Sequence, residues 1–166
     1  MSPGPVHWLL LVVAAQRLAE LGWSRRNERR LRARGAVEHG AGHYPLIVAM
    51  HGGLLLVLLA VAPAERPIAL PWLALLLALQ PVRLWVLATL GERWTTRVLV
   101  PPGEPLVAAG PYRGLRHPNY LVVALEVPAI ALAAGEPAVA VGFGLANLAV
   151  LALRIRVEER ALGRGP

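Results

Sequence analysis

The sequence predicts an all-α membrane protein, a polytopic bundle of about five transmembrane helices. The 166 residues are 56% hydrophobic with a mean hydropathy of +0.52, which exceeds the usual composition of a water-soluble domain. Five apolar runs approach or reach the length that crosses a bilayer as a helix. Arginines gather in the segments that would share one side of such a membrane.

The connections between these runs contain no long polar linker, so residues 1–166 are expected to form one integral membrane domain. The predicted spans are Val6–Trp23, Tyr44–Ala62, Ile68–Leu90, Tyr120–Ala134 and Pro137–Leu153. The first lacks the positive start and cleavage site of a secretory signal, so it is expected to remain in the membrane. Only the turn sequence GEP separates the last two, which predicts a tight helical hairpin.

The arginines predict the orientation of the bundle. They occur in the loop predicted after the first span, SRRNERRLRARG, in the segment after the third span, and in the tail. The opposite face carries only APAERP and GEP. The positive-inside rule therefore places the N-terminus outside and the C-terminus in the cytoplasm. The same rule accounts for the net charge of +7 without a nucleic-acid partner.

Metal and thiol chemistry are not expected. The chain has no cysteine, which excludes disulfides, thiolate nucleophiles and cysteine-ligated metals. His39, His43 and His51 are irregularly spaced, so no metal site is predicted. His51 precedes two glycines within the second span, where a hydrogen-bonded packing role is the favoured interpretation.

Four ionisable residues fall inside predicted spans, where they are costly and normally face protein or a wet cavity. Arg17 and Glu20 lie one helical turn apart, which favours an ion pair that fixes helix packing over a direct functional role. Arg83 and Glu126 are predicted either to pair between helices or to line a pocket.

The stretch GPYRGLRHPNY, residues 110–120, is a polar segment that leads into the fourth span. Gly110-Pro111 predicts a turn, and His117-Pro118 predicts the start of a helix, because proline suits the first helical turn. The arginines of this segment are thereby delivered to a helix N-terminus. Its free N–H groups and partial positive charge can hold an anionic ligand group.

The stretch RIRVEERAL, residues 154–162, continues the fifth helix beyond the membrane. Arg154 and Glu158 share one side of this helix and are predicted to face the membrane mouth. The alternative is an ordinary polar helix end with an i,i+4 salt bridge. Because the hairpin brings the ends of the two helices together, both polar stretches are expected to meet, as a binding site requires.

These paired motifs resemble those of the isoprenylcysteine carboxyl methyltransferase family, whose members carry GPY-R-x-x-RHP-x-Y followed by R-x-x-x-EE-x-x-L. The resemblance covers about residues 90–162, the expected cofactor-binding half. HYPLIVAMH and LGERWTTRVLV are similar to small bacterial members, some of which are associated with type III polyketide synthases and methylate alkylpyrones or alkylresorcinols. The resemblance implies S-adenosylmethionine as cofactor, bound in a cytoplasm-facing pocket of a multi-pass plasma-membrane protein. No G-x-G-x-x-G motif suggests a competing dinucleotide-binding fold.

The resemblance also implies roles for individual residues. The loop over the cofactor would comprise Gly110, Pro111, Tyr112 and Arg113, and the wall at the fourth helix would comprise Arg116, His117, Pro118 and Tyr120. Arg154, Glu158 and Glu159 would complete the site. Glu158 or Glu159 would bind the ammonium and ribose groups of the cofactor, and Arg116 or Arg154 would hold the acceptor oxygen. The candidate catalytic residues are Arg116, Arg154 and Glu158.

The expected acceptor is a lipophilic molecule that enters from the bilayer and offers a carboxylate, phenol or enol oxygen. Eukaryotic members of the family continue past the EE-x-x-L motif, whereas this chain ends at Pro166, which weakens the expectation of a prenylated-cysteine substrate but keeps isoprenoid-like acceptors among the candidates. Trp85 and Trp94 fit interfacial anchors better than a substrate lining. Two alternative functions are an NADPH-dependent membrane reductase of the sterol type and a non-catalytic protein whose basic face binds anionic lipid or a partner.

Overall fold

The computed structural model describes residues 3–63 and 65–164. Its main elements are five helices: α1 Pro5–Ala33, α2 Tyr44–Val61, α3 Leu70–Leu90, α4 Pro118–Ala133 and α5 Pro137–Ala161. Two three-residue strands, β1 Val37–His39 and β2 Val98–Val100, pair antiparallel. The predicted all-α fold is confirmed, with this short ribbon as an addition.

The helix α1 corrects one prediction. The stretch after the first apolar run was predicted to be a loop, but α1 continues through it as far as Ala33. Arginine, glutamate, leucine and alanine are good helix formers, and neither proline nor glycine interrupts the stretch before Gly35. Many of the arginines therefore project from a helix that extends beyond the apolar part of the bundle.

The helix α4 lies at the centre of the bundle and packs against α3 and α5. Most of its side chains are buried, among them Val122, Val127 and Ile130. By length and hydropathy, three helical segments of the described residues can cross a membrane: Ala41–Val61, Leu70–Arg93 and Pro137–Ala161. The helix α4 is a shorter apolar segment, and α1 carries Arg17 and Glu20 within its apolar part. The count of five spans and the orientation stay predictions.

The predicted hairpin between α4 and α5 is confirmed. The N–H of Glu136 donates to the carbonyl of Ala131 over 2.9 Å, and the N–H of Gly135 donates to that of Leu132 over 3.0 Å. This is the Schellman arrangement, which needs a left-handed residue at Gly135, where φ is +77°. Arg66 also donates to the Gly135 carbonyl, at 2.7 Å. The turn therefore fixes where α5 begins relative to α4.

Gly135→Ala is expected to lower the free energy of unfolding by about 1–2 kcal/mol, because alanine is strained in the left-handed region. The added Cβ would also lie 2.7 Å from Cδ of Arg66 and displace that side chain. Thermal unfolding in detergent micelles measures the effect. Gly142→Ala in α5 is the matched control, since a Cβ there meets no atom within 4 Å. Equal stability of the two variants would contradict the role given to the turn.

The basic segments lie together at one end of the bundle. Ser24 of α1 accepts a hydrogen bond from the N–H of Thr96 at 2.8 Å, and Arg97 donates to Glu38 of β1 at 2.6 Å. Arg154 of α5 donates to the Thr96 carbonyl at 2.6 Å. The end of α1, the ribbon, the segment before α4 and the end of α5 thus form one polar face.

Candidate active site

The two polar motifs meet at this face of the bundle. His117, at the entry to α4, places Nε2 at 2.7 Å from a carboxylate oxygen of Glu159 in α5. A carboxylate only accepts, so Nε2 donates and Nδ1 is left without a hydrogen-bond partner. The His117 ring also stacks on Tyr120 with centroids 5.4 Å apart. The convergence that the hairpin predicted is confirmed.

Tyr120 connects Arg154 to Glu158. Arg154 is buried and donates from Nε to the Tyr120 hydroxyl over 2.9 Å, while the hydroxyl itself donates to the Glu158 carboxylate. The guanidinium carbon lies 5.6 Å from the centroid of the Tyr120 ring. Arg154 and Glu158 are therefore linked through a phenol from another helix, which an isolated i,i+4 salt bridge would not require.

A cavity of about 390 Å³, here called the loop cavity, opens beside this chain of hydrogen bonds. Its lining combines Tyr120, Arg154 and Glu158 with the segment 97–107. Side chains of both charges line it, including Arg93, Arg97, Glu104 and Glu158. Leucines, valines and prolines of the same segment provide apolar surface. The loop cavity thus suits a ligand with both charged and flat apolar parts.

A second cavity of about 380 Å³, here called the bundle cavity, lies among α1, α2, α4 and α5. Its lining is largely apolar and includes Leu55, Val123 and Leu151. The loop cavity and the bundle cavity share four residues: Thr95, Asn119, Tyr120 and Arg154. These four form the shared wall. A polar ligand on one side and an apolar ligand on the other would meet there.

The residues singled out from the sequence divide into two groups. Six line the loop cavity: Tyr112, Arg116, His117, Tyr120, Arg154 and Glu158. The others are outside its lining and are Gly110, Pro111, Arg113, Pro118 and Glu159. Of the two candidate arginines, Arg154 is buried in the shared wall, whereas the side chain of Arg116 is 77% exposed at the rim. Of the two glutamates, Glu158 lines the cavity and Glu159 holds His117.

Gly110 has a conformational reason to be glycine. Its φ is +52°, and a Cβ there would lie 2.5 Å from the hydroxyl oxygen of Thr89 in α3. The turn therefore packs directly on α3 and positions Tyr112 at the cavity. Burial, with the nearby Glu158 charge, raises the pKa of Tyr112, so its phenol stays protonated and can donate a hydrogen bond.

Several lining residues were not predicted. Nothing in the sequence of the segment 97–107 indicated that it walls a cavity. Asn119 and Asn147 carry no pattern that sets them apart. Trp94, for which an anchor at the membrane surface was favoured, is buried, contacts Trp23 at 5.7 Å between centroids, and lines the bundle cavity. Trp85 is 55% exposed and fits the anchor interpretation.

The ionisable residues within the bundle form one network. Arg17 contacts Glu20 at 3.0 Å and Glu126 at 2.7 Å, and Arg83 contacts Glu126 at 2.8 Å and also Glu20. Both predicted pairs are confirmed, and Arg17, Glu20 and Arg83 also line the bundle cavity. Three of the four network residues therefore both pair between helices and line the cavity, whereas Glu126 only pairs. His51 Nδ1 lies 3.0 Å from the Ile47 carbonyl, as expected of a hydrogen-bonded packing residue.

The fold and the site together define an integral membrane helix bundle with a polar cavity at one end and an apolar cavity among its helices. The chain belongs to the isoprenylcysteine carboxyl methyltransferase (ICMT) family, whose model matches residues 72–164. It is 41% identical over 160 residues to the uncharacterized protein YpbQ of Bacillus subtilis (strain 168), an alignment that covers 93% of this chain and 95% of YpbQ. No solved structure matches. Membership of the family makes this protein a membrane methyltransferase.

Proposed function

We propose that the protein transfers a methyl group from S-adenosylmethionine to an oxygen of a lipophilic acceptor. The observation that carries this proposal is the shared wall between the loop cavity and the bundle cavity, lined by Tyr120 and Arg154. A water-soluble donor and a membrane-soluble acceptor must react at a boundary between their two environments. The wall provides such a boundary.

The loop cavity fits the cofactor by size and by chemistry. Small-molecule sites commonly measure about 300–1,000 Å³, and the loop cavity falls within this range. The donor carries an ammonium, a carboxylate and a purine, and the cavity offers glutamates, arginines and apolar loop residues to match them. Nδ1 of His117 and Oδ1 of Asn119 are buried at its wall without hydrogen-bond partners. Such atoms favour a polar ligand, because an unpaired buried polar group costs about 1–3 kcal/mol.

The geometry supports one assignment of roles. When bound, S-adenosylmethionine supplies a methyl on a sulfonium sulfur; transfer forms an O–C bond and leaves the electrons of the S–C bond on sulfur. Glu158, which lines only the loop cavity, binds the ammonium or ribose groups. Arg154, which lines both cavities, holds the acceptor oxygen in line, as a guanidinium can do for a carboxylate or an ionised phenol or enol.

The bundle cavity supports a long apolar acceptor rather than a small polar one. Leu18 and Val48 line this cavity and are also exposed on the outside of the bundle, as side chains that contact lipid would be, so an acceptor can enter laterally. Alkylpyrones, alkylresorcinols and isoprenoid-like compounds have the required form. The positive-inside rule supports a cytoplasmic position for the arginine-rich face that holds the loop cavity, and the proposed location is the plasma membrane.

The proposal is tested with Val123→Trp, which fills the bundle cavity from α4. Val123 is 8% exposed and lines that cavity but not the loop cavity. The purified variant is expected to bind S-adenosylmethionine as the wild type does. Its rate of methyl transfer to extracted membrane lipids is expected to fall by at least about 100-fold, because a misplaced reactant lowers the rate by about that factor. Equilibrium dialysis and transfer of a labelled methyl group measure the two properties.

Leu121→Trp on the same helix is the matched control, since Leu121 is 51% exposed and points away from both cavities. It should bind the cofactor and transfer methyl normally. Binding of NADPH instead of S-adenosylmethionine by the wild type would overturn the proposal in favour of a reductase. Absence of binding to either, with no lipid labelled, would favour a non-catalytic membrane protein.

A further inference from the structure

Asn147 has an unpaired oxygen at the wall of the bundle cavity. It lies in α5 and is 0% exposed. Its Nδ2 donates to the Val123 carbonyl over 3.2 Å, and because a carbonyl only accepts, this bond fixes which end of the amide is oxygen. Oδ1 has no hydrogen-bond partner. A buried acceptor of this kind normally has a donor.

The reacting group of the acceptor cannot supply that donor. Asn147 precedes Arg154 by seven residues on α5, which separates them by about 10 Å along the helix axis. Two other buried polar atoms at the bundle cavity are unpaired, Nε1 of Trp94 and Oδ1 of Asn119. Trp94 precedes Thr95 of the shared wall, so its N–H can donate to the reacting oxygen. Asn119 belongs to both cavities, so a donor of the cofactor in the loop cavity can satisfy its Oδ1. Asn147 lies deeper.

The charged donors of the bundle cavity are already engaged. Arg17 and Arg83 direct their guanidinium groups to Glu20 and Glu126, as described above. His51 also lines the cavity, but its Nδ1 donates to the Ile47 carbonyl, which leaves Nε2 of the neutral ring as an acceptor. Val150 and Leu151 of α5 contribute apolar lining. A ligand in the bundle cavity is therefore the natural source of a donor for Asn147.

We infer that the acceptor carries a second polar group, a hydroxyl or an amine, about 10 Å from the oxygen that is methylated, and that this group donates to Oδ1 of Asn147. This inference rests on the proposed function, because it assigns the substrate class of the same site. It distinguishes a bifunctional lipid from a plain hydrocarbon chain with a single polar head. An acceptor of the second kind would leave the amide oxygen unpaired in the complex, at a cost of about 1–3 kcal/mol.

The first test examines the product and needs no variant. Membranes that contain the wild-type protein are incubated with methyl-labelled S-adenosylmethionine, and the labelled lipid is extracted. Treatment with acetic anhydride, followed by fragmentation in a mass spectrometer, is expected to place an acetyl group on the part of the lipid that lies about 10 Å from the methylated oxygen, since the second hydroxyl or amine stays free after methylation. An acetyl group found only on the ring that bears the methyl group would overturn the inference. A labelled lipid that takes up no acetyl group would overturn the inference and leave the proposed function intact. Absence of any labelled lipid would overturn both.

The second test uses Asn147→Leu, which removes the amide at similar volume. With the lipid from the first test as acceptor, KM is expected to rise about 10-fold, the equivalent of about 1.4 kcal/mol, while the affinity for S-adenosylmethionine is unchanged. Leu148→Ala is the matched control, because Leu148 is the next residue and is 52% exposed. An unchanged KM in Asn147→Leu would contradict the inference.

Discussion

Glu158→Gln is expected to lower methyl transfer by at least about 100-fold, the loss that accompanies misplacement of a bound reactant. The Glu158 carboxylate accepts from the Tyr120 hydroxyl, which in turn accepts from Nε of Arg154 at 2.9 Å. Glutamine removes the negative charge from the loop cavity and exchanges one acceptor oxygen for a donor. Both the binding of a cationic donor and the position of Arg154 then change.

Arg154→Ala is expected to lower methyl transfer by a similar factor, because Arg154 lies at the other end of the hydrogen bonds that link it through Tyr120 to Glu158. The guanidinium is 7% exposed, lies in the shared wall and also donates to the Thr96 carbonyl at 2.6 Å. The measurement for both variants is labelled-methyl transfer by purified protein, with the melting temperature as a check on folding. Arg156→Ala is the matched control, because Arg156 lies on the exposed side of α5. Full activity in either test variant would remove that residue from the mechanism.

Glu126→Ala is expected to lower the free energy of unfolding by about 3–5 kcal/mol, because it leaves uncompensated positive charge in a buried network. Glu126 is 2% exposed and accepts from Arg17 at 2.7 Å, from Arg83 at 2.8 Å and from Gln80 at 3.1 Å. Without it, two guanidinium groups share the single carboxylate of Glu20. Unfolding in mixed micelles of mild detergent and dodecyl sulfate measures the loss.

Two further variants separate burial from charge pairing at this network. Glu92→Gln breaks a pair with Arg30 in which both side chains are about half exposed, and should change stability by less than about 1 kcal/mol. The double variant Arg83→Met with Glu126→Leu removes one charge of each sign and should be more stable than Glu126→Ala alone. Equal stability of Glu126→Ala and Glu92→Gln would mean that water reaches the network, and it would contradict the buried ion pairing described for Glu126.

Much of the fold could be predicted because its determinants are local. The lengths of the apolar runs predicted the ends of α2 and α3 to within a few residues, and the turn sequence at Gly135 predicted the hairpin. The error at the end of α1 arose because a run rich in charge was taken as a loop, although arginine and glutamate favour a helix in water. The ribbon formed by β1 and β2 pairs residues about 60 positions apart in the sequence, with Val37 opposite Val100. No local sequence pattern indicates that pairing.

The candidate site was predictable as a set of motifs but not as a geometry. The spacing of Arg154 and Glu158 placed both on one side of a helix, yet Tyr120 of α4 lies between them as their common partner. The choice between Arg116 and Arg154, and that between Glu158 and Glu159, depended on burial, which sequence spacing does not report. Asn147 was missed because an isolated asparagine in an apolar helix has no pattern.

The sequence by itself determined that this protein is a helical membrane bundle of the isoprenylcysteine carboxyl methyltransferase family, since hydropathy, hairpin turn and paired motifs are properties of contiguous residues. Only the tertiary structure decided that the loop cavity and the bundle cavity meet at Tyr120 and Arg154. A cavity is the space left between elements after packing. Its place therefore depends on how α1, α2, α4 and α5 lie against one another, which no single segment encodes.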